Sequence, residues 1–177
     1  FIDDKNLISE IMNKINFTKI RDVKSPNRAN KNDAGIDFYI PNFDNRMIQD
    51  LLAKNPHPAE KSQREWALVV DEETNETKLI INPRGHILIP SGIRVWIESK
   101  DSALIAANKS GIATKTGLLF TAQVVDADYT GEIHIGLFNS GNDPVFLSPG
   151  DKIIQFVHTP ILKDPLEELT PEQYLDL

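Results

Sequence analysis

The sequence predicts a mainly β fold in which many short strands form a closed or double-sheet structure. Ile133, Ile135 and Leu137 alternate with polar or small residues, the pattern of a strand with one buried face. Residues 66–70 and 78–81 are apolar runs on either side of a polar turn, and they are predicted to form a hairpin. Both patterns favour a sheet protein over a helical one.

Further strands are predicted wherever a short apolar run lies between turn residues. Pro90-Ser91-Gly92 and Ser99-Lys100-Asp101 interrupt one long apolar stretch, and Asn139-Ser140-Gly141-Asn142 precedes another. The remaining runs cover residues 86–89, 92–98, 102–107, 145–147 and 152–158. With 177 residues, the chain is expected to form a single domain, 1–177, with a substantial core.

Short helices are predicted at three places. Apolar residues recur at helical spacing over about residues 4–15, which indicates an N-terminal helix. Met47, Ile48, Leu51 and Leu52 repeat this pattern after Asp44, a suitable N-cap. A third helix is expected to start where a threonine cap precedes a proline, and this sequence is Thr170-Pro171-Glu172-Gln173.

The overall composition excludes several classes of function. The chain has no cysteine, so it can form neither a disulfide nor a thiolate metal site. It has no apolar run of the ~20 residues that a membrane span needs and does not open with a secretory signal, and a cytoplasmic location is expected. A net charge of −7 argues against a general nucleic-acid binder. A small polyphosphate ligand remains compatible, because it needs only a local group of cations and usually a divalent metal.

Asp126-Ala127-Asp128 is the sharpest candidate for chemistry among the residues themselves. Two acids one residue apart on an extended chain are expected to point to the same side and to need a compensating cation or proton. A turn with two solvated aspartates is the alternative, and Tyr129 alone is typical of a half-buried sheet residue. The four histidines do not have metal-ligand spacing and are interpreted as structural or surface residues: His57, His86, His134 and His158.

Four motifs in order resemble those of the dUTP pyrophosphatase (dUTPase) family, and the resemblance covers about residues 17–160. The third motif is the most specific of the four. In chain order they are Ala34-Gly35-Ile36-Asp37, Lys109-Ser110-Gly111, Val125 to Glu132, and Gly150-Asp151-Lys152-Ile153-Ile154-Gln155.

The resemblance implies a β-clip (distorted jelly-roll) fold and a homotrimer in which several subunits build each site. It implies hydrolysis of dUTP to dUMP and pyrophosphate with Mg²⁺. Asp126 would orient and deprotonate the attacking water and meet the 3′-hydroxyl of the sugar. Tyr129 would stack beneath the deoxyribose and exclude a 2′-hydroxyl. A hairpin over residues 117–125 would hold uracil, mainly through backbone groups, and Thr121, Gln123 and Val125 are its expected contacts.

The resemblance also implies a phosphate-binding group of residues. Lys109, Ser110 and Gly111 would bind the phosphates, and Gln155 would hold the water or a phosphate. Asp37 would act on the magnesium ion through water. This chemistry is consistent, because attack at phosphorus needs a positioned water, a base and nearby cations.

Three departures from the family pattern affect these expectations. Lys109 stands where arginine is usual, so a flat bidentate contact becomes a point charge. Gln123 stands where glycine is common, which puts an amide side chain in or beside the base pocket. The glycine-rich fifth motif is absent from a sequence that starts at Phe1 and stops at Leu177, and a missing terminal arm is the favoured interpretation.

Two alternative functions and one open segment remain at this stage. A dCTP deaminase shares the fold, and Thr121-Ala122 resembles that branch, but Gly136 stands where deaminases have a proton-shuttling glutamate. A non-catalytic nucleotide-binding regulator is the other alternative. An inserted segment at about residues 42–85 is longer than the family normally carries, and it could be packing, a lid or a partner surface.

Overall fold

The computed structural model describes residues 14–56 and 65–177. Almost every element is a short strand, as the apolar runs predict. The elements in chain order are β1 (Ile15–Lys19), β2 (Gly35–Tyr39), α1 (Asn45–Lys54), β3 (Trp66–Val70), β4 (Thr77–Ile81), β5 (His86–Ile97), β6 (Ser102–Asn108), α2 (Ser110–Thr116), β7 (Leu118–Phe120), β8 (Val124–Asp126), β9 (Glu132–Asn139), β10 (Val145–Leu147), β11 (Lys152–Pro160) and α3 (Pro171–Leu175).

Within the described residues the strands form three antiparallel sheets, which confirms the mainly β prediction. One sheet has the order β1-β5-β9-β7, the second β2-β11-β6-β8, and the third β10-β4-β3. A single apolar core lies between them, and an edge contact between the rings of Phe38 and Phe156, 4.8 Å apart, is part of it. Ile133, Ile135 and Leu137 are buried in this core, as their alternation predicts.

Helix α1 confirms its predicted cap and its apolar stripe. The Asp44 carboxylate accepts a hydrogen bond from the Met47 amide at 2.8 Å, which satisfies one of the free N–H groups of the first turn. Met47 and Leu51 are fully buried, while Leu52 lies at the edge of the stripe and is 48% exposed. The helix therefore packs its apolar face onto the body of the domain.

The predicted hairpin and the C-terminal helix are also confirmed. Strands β3 and β4 pair antiparallel, and the Asp71 carboxylate accepts the amides of Glu73 and Thr74 to shape the turn. Helix α3 is capped by Thr170 with a capping box, in which Thr170 and Gln173 exchange side-chain to backbone hydrogen bonds.

Strand β5 differs from the prediction of two separate strands. It runs through Pro90-Ser91-Gly92 without ending, and its register with β9 shifts between Pro90 and Arg94. Gly92 has a φ of +75°, which allows a bulge rather than a chain reversal. The bend lets the first half of β5 pair with β9 and the second half pair with β1.

Two other expectations need correction, and one falls mainly outside the description. Residues 117–125 are not a hairpin, because β7 pairs with β9 and β8 pairs with β6 in another sheet. Helix α2 was not predicted, since no apolar stripe marks it. The predicted helix over residues 4–15 lies outside the described residues except at its end, where Ile15 begins β1. In the part of the chain that is described, no helix is long and apolar enough to cross a membrane.

Candidate functional site

A pocket of about 240 Å³ lies where β8 ends, and it contains much of the third motif. Four of the predicted site residues line it together: Gln123, Val125, Asp126 and Tyr129. Strand β8 is the outer strand of its sheet, so its second edge carries backbone N–H and C=O groups that no neighbouring described strand uses. The pocket therefore combines a carboxylate, an aromatic ring and a strand edge whose outward backbone groups are those of Val124 and the Asp126 amide.

Asp126 and Asp128 do not share a side of the chain, contrary to the expectation for two alternating acids. The strand ends at Asp126, and the alternation stops there. Lys100 fixes the turn that follows, since its ammonium group donates to the Ala127 carbonyl at 3.0 Å. The same group lies 3.6 Å from the exposed Asp128 carboxylate, whereas Asp126 lines the pocket. Asp128 is thus a turn residue paired with a lysine.

Tyr129 is held at the pocket by its own hydroxyl. The hydroxyl donates to the Glu132 carbonyl at 2.7 Å, and the Tyr129 amide donates to the Asp126 carbonyl at 3.1 Å. These two bonds fold residues 126–132 into a compact turn that leaves the Tyr129 side chain partly exposed. A planar ring held in this way can stack on a flat ligand or on a sugar face.

His134 and Leu88 also line the pocket, and neither was among the predicted site residues. His134 was interpreted as structural or surface, yet its Nδ1 lies 2.9 Å from the same Glu132 carbonyl that accepts the Tyr129 hydroxyl. Leu88 reaches the pocket from β5, which pairs with β9. The alternation of β9 gave a partial signal for His134, because residues between the buried positions face away from the core.

A second group of site residues surrounds the Asp37 carboxylate, which is nearly fully buried. Lys109 Nζ lies 2.7 Å from one Asp37 oxygen and Lys152 Nζ lies 3.3 Å from the other. Asp37 also pairs across the sheet with Gln155, whose amide donates to the Asn108 carbonyl at 2.9 Å. Two cations against one carboxylate leave this group with a local positive charge, which suits an anion.

Ser110 and Gly111 continue directly from Lys109 and form the start of α2. Both are exposed, and a side chain on Gly111 would meet no atom within 4 Å, so open space faces this point of the backbone. The second motif therefore presents Lys109, Ser110 and Gly111 next to the Asp37 group, as the resemblance implies. Lys152 was not among the predicted site residues, although it belongs to the fourth motif.

The two groups lie at opposite ends of β6. Asp126 pairs with Ala103 near the start of the strand, whereas Gln155 pairs with Ala107 and Lys109 follows the last strand residue. At ~3.3 Å per residue, Ala103 and Lys109 are about 20 Å apart along the strand. One chain thus carries two separate halves of the predicted site.

Thr121 belongs to neither half and instead covers Gly136. The Thr121 amide donates to the Gly136 carbonyl at 2.9 Å, and a β-carbon on Gly136 would lie only 2.1 Å from the Thr121 hydroxyl. A glutamate at this position would have to displace Thr121. The deaminase alternative therefore lacks both its proton shuttle and the space for one.

The charges behind the pocket are paired rather than free. Burial alone would raise the pKa of Glu132, but hydrogen bonds from Arg21 and from the Gly92 amide lower it below its ordinary value. The hydrogen bond to Glu132 raises the pKa of Arg21 against the effect of burial. On β11, burial lowers the pKa of His158, and the charge of Arg28 lowers it further. No cluster of three or more His, Cys, Asp or Glu residues occurs within residues 14–56 and 65–177.

Comparison with known proteins adds a family assignment to this geometry. The family model described as dUTPase matches residues 74–176, which is more than half of the chain. The deoxyuridine 5'-triphosphate nucleotidohydrolase of Shewanella pealeana is 31% identical over 90 residues, which are 50% of this chain and 59% of the relative. The corresponding protein of Pseudomonas putida is also 31% identical over 90 residues, with 50% and 60% covered. The chain thus spans about three-fifths of the length of the curated relatives it matches.

Solved structures of similar fold extend over most of the chain. A dUTPase from phage phi11 of S. aureus has a TM-score of 0.64 at 18% identity, covering 89% of this chain and 96% of that one. The native dUTPase of EIAV has a TM-score of 0.60 at 18% identity, with 89% and 98% covered. At these identities the likeness concerns the fold, and it agrees with the predicted jelly-roll architecture.

Proposed function

The chain belongs to the dUTPase family, and from that premise we propose that it hydrolyses dUTP to dUMP and pyrophosphate. One observation carries the proposal: Asp126 and Tyr129 line the same pocket as the free edge of β8. A uracil base offers one N–H donor and two carbonyl acceptors. A free strand edge offers complementary backbone groups at fixed spacing, so it can read such a base without dedicated side chains.

Asp126 is the proposed base, acting on a water molecule that attacks the α-phosphorus. The carboxylate accepts a proton from the water as the oxygen–phosphorus bond forms, and the bridging oxygen leaves with pyrophosphate. Carboxylates are weak bases in water, but a well-positioned one removes much of the entropic barrier. Its place at the end of β8, beside the edge that would hold the base and Tyr129, supports this role.

Tyr129 is the proposed sugar gate. A ring held by its hydroxyl at Glu132 can offer its face to a deoxyribose. Stacked beneath the sugar, it would leave no room for a 2′-hydroxyl. Gln123 is exposed at the pocket, and its carbonyl is already used by the Ala106 amide at 2.7 Å. We therefore propose that Gln123 contacts the base through its side-chain amide. Val125 turns its backbone groups toward Leu104 in the same ladder, so it would line the base pocket with its side chain.

The Asp37 group is the proposed phosphate half of the site. Lys109, Ser110, Gly111 and Gln155 would bind the triphosphate oxygens, which spreads the charge that develops during attack. Asp37 holds Lys109 in position, and the net positive charge of the group favours the polyphosphate.

Magnesium is proposed to arrive on the triphosphate rather than to occupy a site made by the protein. The two lysines that pair with Asp37 would repel a cation, so Asp37 fits a contact through water at most. The described residues offer no cluster of carboxylates that would hold the ion by itself. A magnesium ion bound to the triphosphate supplies charge stabilisation and fixes its conformation.

We also propose that two copies of the chain complete each site, within a homotrimer. The separation of about 20 Å along β6 supports this, because the α-phosphorus must meet Asp126 and the phosphate-binding residues at once. In a closed symmetric oligomer the pocket of one copy faces the Asp37 group of the next.

Mixing two inactive variants tests the shared site. Asp126→Asn chains and Lys109→Ala chains should each be poorly active alone, and after joint refolding about a quarter of the sites should regain both intact halves by random assortment. A mixture of Asp126→Asn and Tyr129→Ala chains is the matched control, because both changes lie in the same half and no site is restored. Recovery in neither mixture would contradict a site shared between copies.

The insertion is proposed to be part of the same single domain. Met47, Leu51 and Leu79 come from the described parts of residues 42–85, and all three are fully buried in the common core. A partner surface on this segment stays a prediction.

Product analysis over a panel of nucleotides tests the activity itself. Pyrophosphate and ammonia should be followed separately with dUTP, UTP, dCTP and dTTP in the presence of magnesium. The proposal expects pyrophosphate from dUTP well above the other nucleotides and no ammonia from dCTP. Ammonia from dCTP would establish the deaminase alternative, and binding without any product would favour the regulator.

A further inference from the structure

Arg21 lies just after β1, outside all four motifs, and its side chain is 6% exposed. Its guanidinium group makes a forked contact with Glu132, at 2.7 Å from Nε and 3.1 Å from Nη2. Nη2 also lies 2.6 Å from the Asp50 carboxylate on α1. A third donor reaches Glu132 from the Gly92 amide at 2.8 Å. The Glu132 carboxylate is therefore fixed on several sides.

Glu132 connects this buried ion pair to the proposed sugar gate. Its side chain points to Arg21, while its backbone carbonyl accepts the Tyr129 hydroxyl and lies beside His134 Nδ1. The neighbouring Thr130 carbonyl accepts a hydrogen bond from Arg94 Nε at 2.7 Å. The turn that carries Tyr129 is thus bonded to the body of the domain at Thr130, by Arg94, and at Glu132, by Arg21.

The inserted helix α1 reaches the same pocket by a second route. Asn55, the residue that follows the helix, donates its side-chain amide to the Leu88 carbonyl at 2.7 Å and accepts the Leu88 amide at 2.7 Å. A side chain that bonds both backbone groups of one residue acts as a short substitute for a neighbouring strand. Since Leu88 lines the pocket, α1 supports one pocket wall through Asn55 and another through Asp50 and Arg21.

We propose that Arg21 is a positioning residue for Tyr129, and that α1 uses it to set the selectivity of the pocket for 2′-deoxy sugars. Without Arg21, the Glu132 carboxylate would lose its cation in a place where it is only 12% exposed. A carboxylate in that state turns toward water. The Glu132 backbone carbonyl, which accepts the Tyr129 hydroxyl, then moves with the Glu132 side chain. The predicted change in substrate choice rests on the proposed function, whereas the positioning of Tyr129 by Arg21 does not.

The first test compares dUTP with UTP in matched variants. Arg21→Met should lower the dUTP-to-UTP ratio of kcat/KM by about tenfold, the effect expected from one lost positioning hydrogen bond. Asp50→Asn, at a position 41% exposed, should lower the ratio by only about twofold to threefold. Arg21→Lys should restore part of the ratio.

Lys78→Met and Asp71→Asn are the controls. They break a 2.8 Å ion pair in the β3–β4 hairpin of the same insertion, away from the pocket, and they should leave the ratio unchanged. Thermal melting of each variant separates loss of fold from loss of selectivity. If Arg21→Met does not fold, Arg21→Lys and Asp50→Asn still test the ratio. An unchanged ratio in a folded Arg21→Met protein would overturn the proposal.

The second test does not depend on activity. The chain has three tyrosines, so a protein labelled with carbon-13 in its tyrosine rings gives few signals, and Tyr129→Phe assigns the one of interest. Arg21→Met should shift the Tyr129 signal, and Lys78→Met should not. An unmoved Tyr129 signal would refute the positioning role. Failure of the wild-type protein to hydrolyse dUTP would instead refute the proposed function and leave this structural test intact.

Discussion

Replacing Gly35 with alanine probes the contact between the first and fourth motifs. A β-carbon on Gly35 would lie 2.0 Å from Gln155 Oε1, 2.7 Å from its Cδ and 3.0 Å from its Cβ. Gln155 would have to turn away and give up its hydrogen bond to the Asn108 carbonyl. Glycine at this position is therefore explained by the glutamine side chain that occupies the space.

The size of the effect follows from three contributions. Overpacking costs about 1–3 kcal/mol, and the lost hydrogen bond costs about 1 kcal/mol more. Replacing a glycine with alanine stabilises the fold by about 0.4–1 kcal/mol, because the unfolded chain has less conformational entropy to lose. Gly35→Ala should thus lower the free energy of unfolding by about 1–3.6 kcal/mol. Displacing Gln155 by an ångström or more should also reduce kcat about 100-fold.

A double-mutant cycle measured by urea denaturation isolates the steric cause. In a Gln155→Ala background the atoms at 2.0 and 2.7 Å are gone, and only the 3.0 Å contact with Cβ remains. Gly35→Ala should then change the free energy of unfolding by no more than about 0.5 kcal/mol. An equal loss of stability in both backgrounds would refute this explanation.

Three further predictions concern the base, the buried ion pair and the inserted helix. Asp126→Asn should keep nucleotide affinity by calorimetry but lose about 10²–10⁴-fold in turnover, and near-normal turnover would disprove the assigned base. The pKa of Glu132 is lower in the folded protein than its ordinary 4.5, so its stabilising effect is complete above that pH and is lost as the pH falls below it. Urea denaturation at several acidic pH values should show that the free energy of unfolding falls less steeply with acid in Glu132→Gln than in wild type. Equal slopes of unfolding free energy against pH would contradict this linkage. Leu51→Ala should cost about 2–5 kcal/mol in unfolding free energy, while the exposed Leu52→Ala should cost less than about 0.5 kcal/mol, and similar losses would show that α1 is not packed in the core.

Local patterns were sufficient for much of the fold. The cap at Asp44, the capping box at Thr170 and the alternation around Ile135 depend on residues a few positions apart, and all three are confirmed. The site motifs are also short runs, but they were assigned by their resemblance to a family. Their separation into a pocket and an Asp37 group was not predicted, because it depends on how distant strands pair.

Non-local contacts account for what the sequence did not reveal. Arg21 and Glu132 are 111 residues apart in the chain, and no periodicity links them. Helix α2 has no buried residue, so it leaves no apolar stripe to detect. The hairpin over residues 117–125 was expected only from the resemblance, and its two strands instead pair at the edges of different sheets.

The destination of the water oxygen tests the central proposal most directly. Wild-type protein should be incubated with dUTP and magnesium in water labelled with oxygen-18, and both products should be examined by phosphorus NMR and mass spectrometry. Attack at the α-phosphorus with Asp126 as base predicts one labelled oxygen in dUMP and none in pyrophosphate. Label in pyrophosphate, or the absence of both products, would contradict the account.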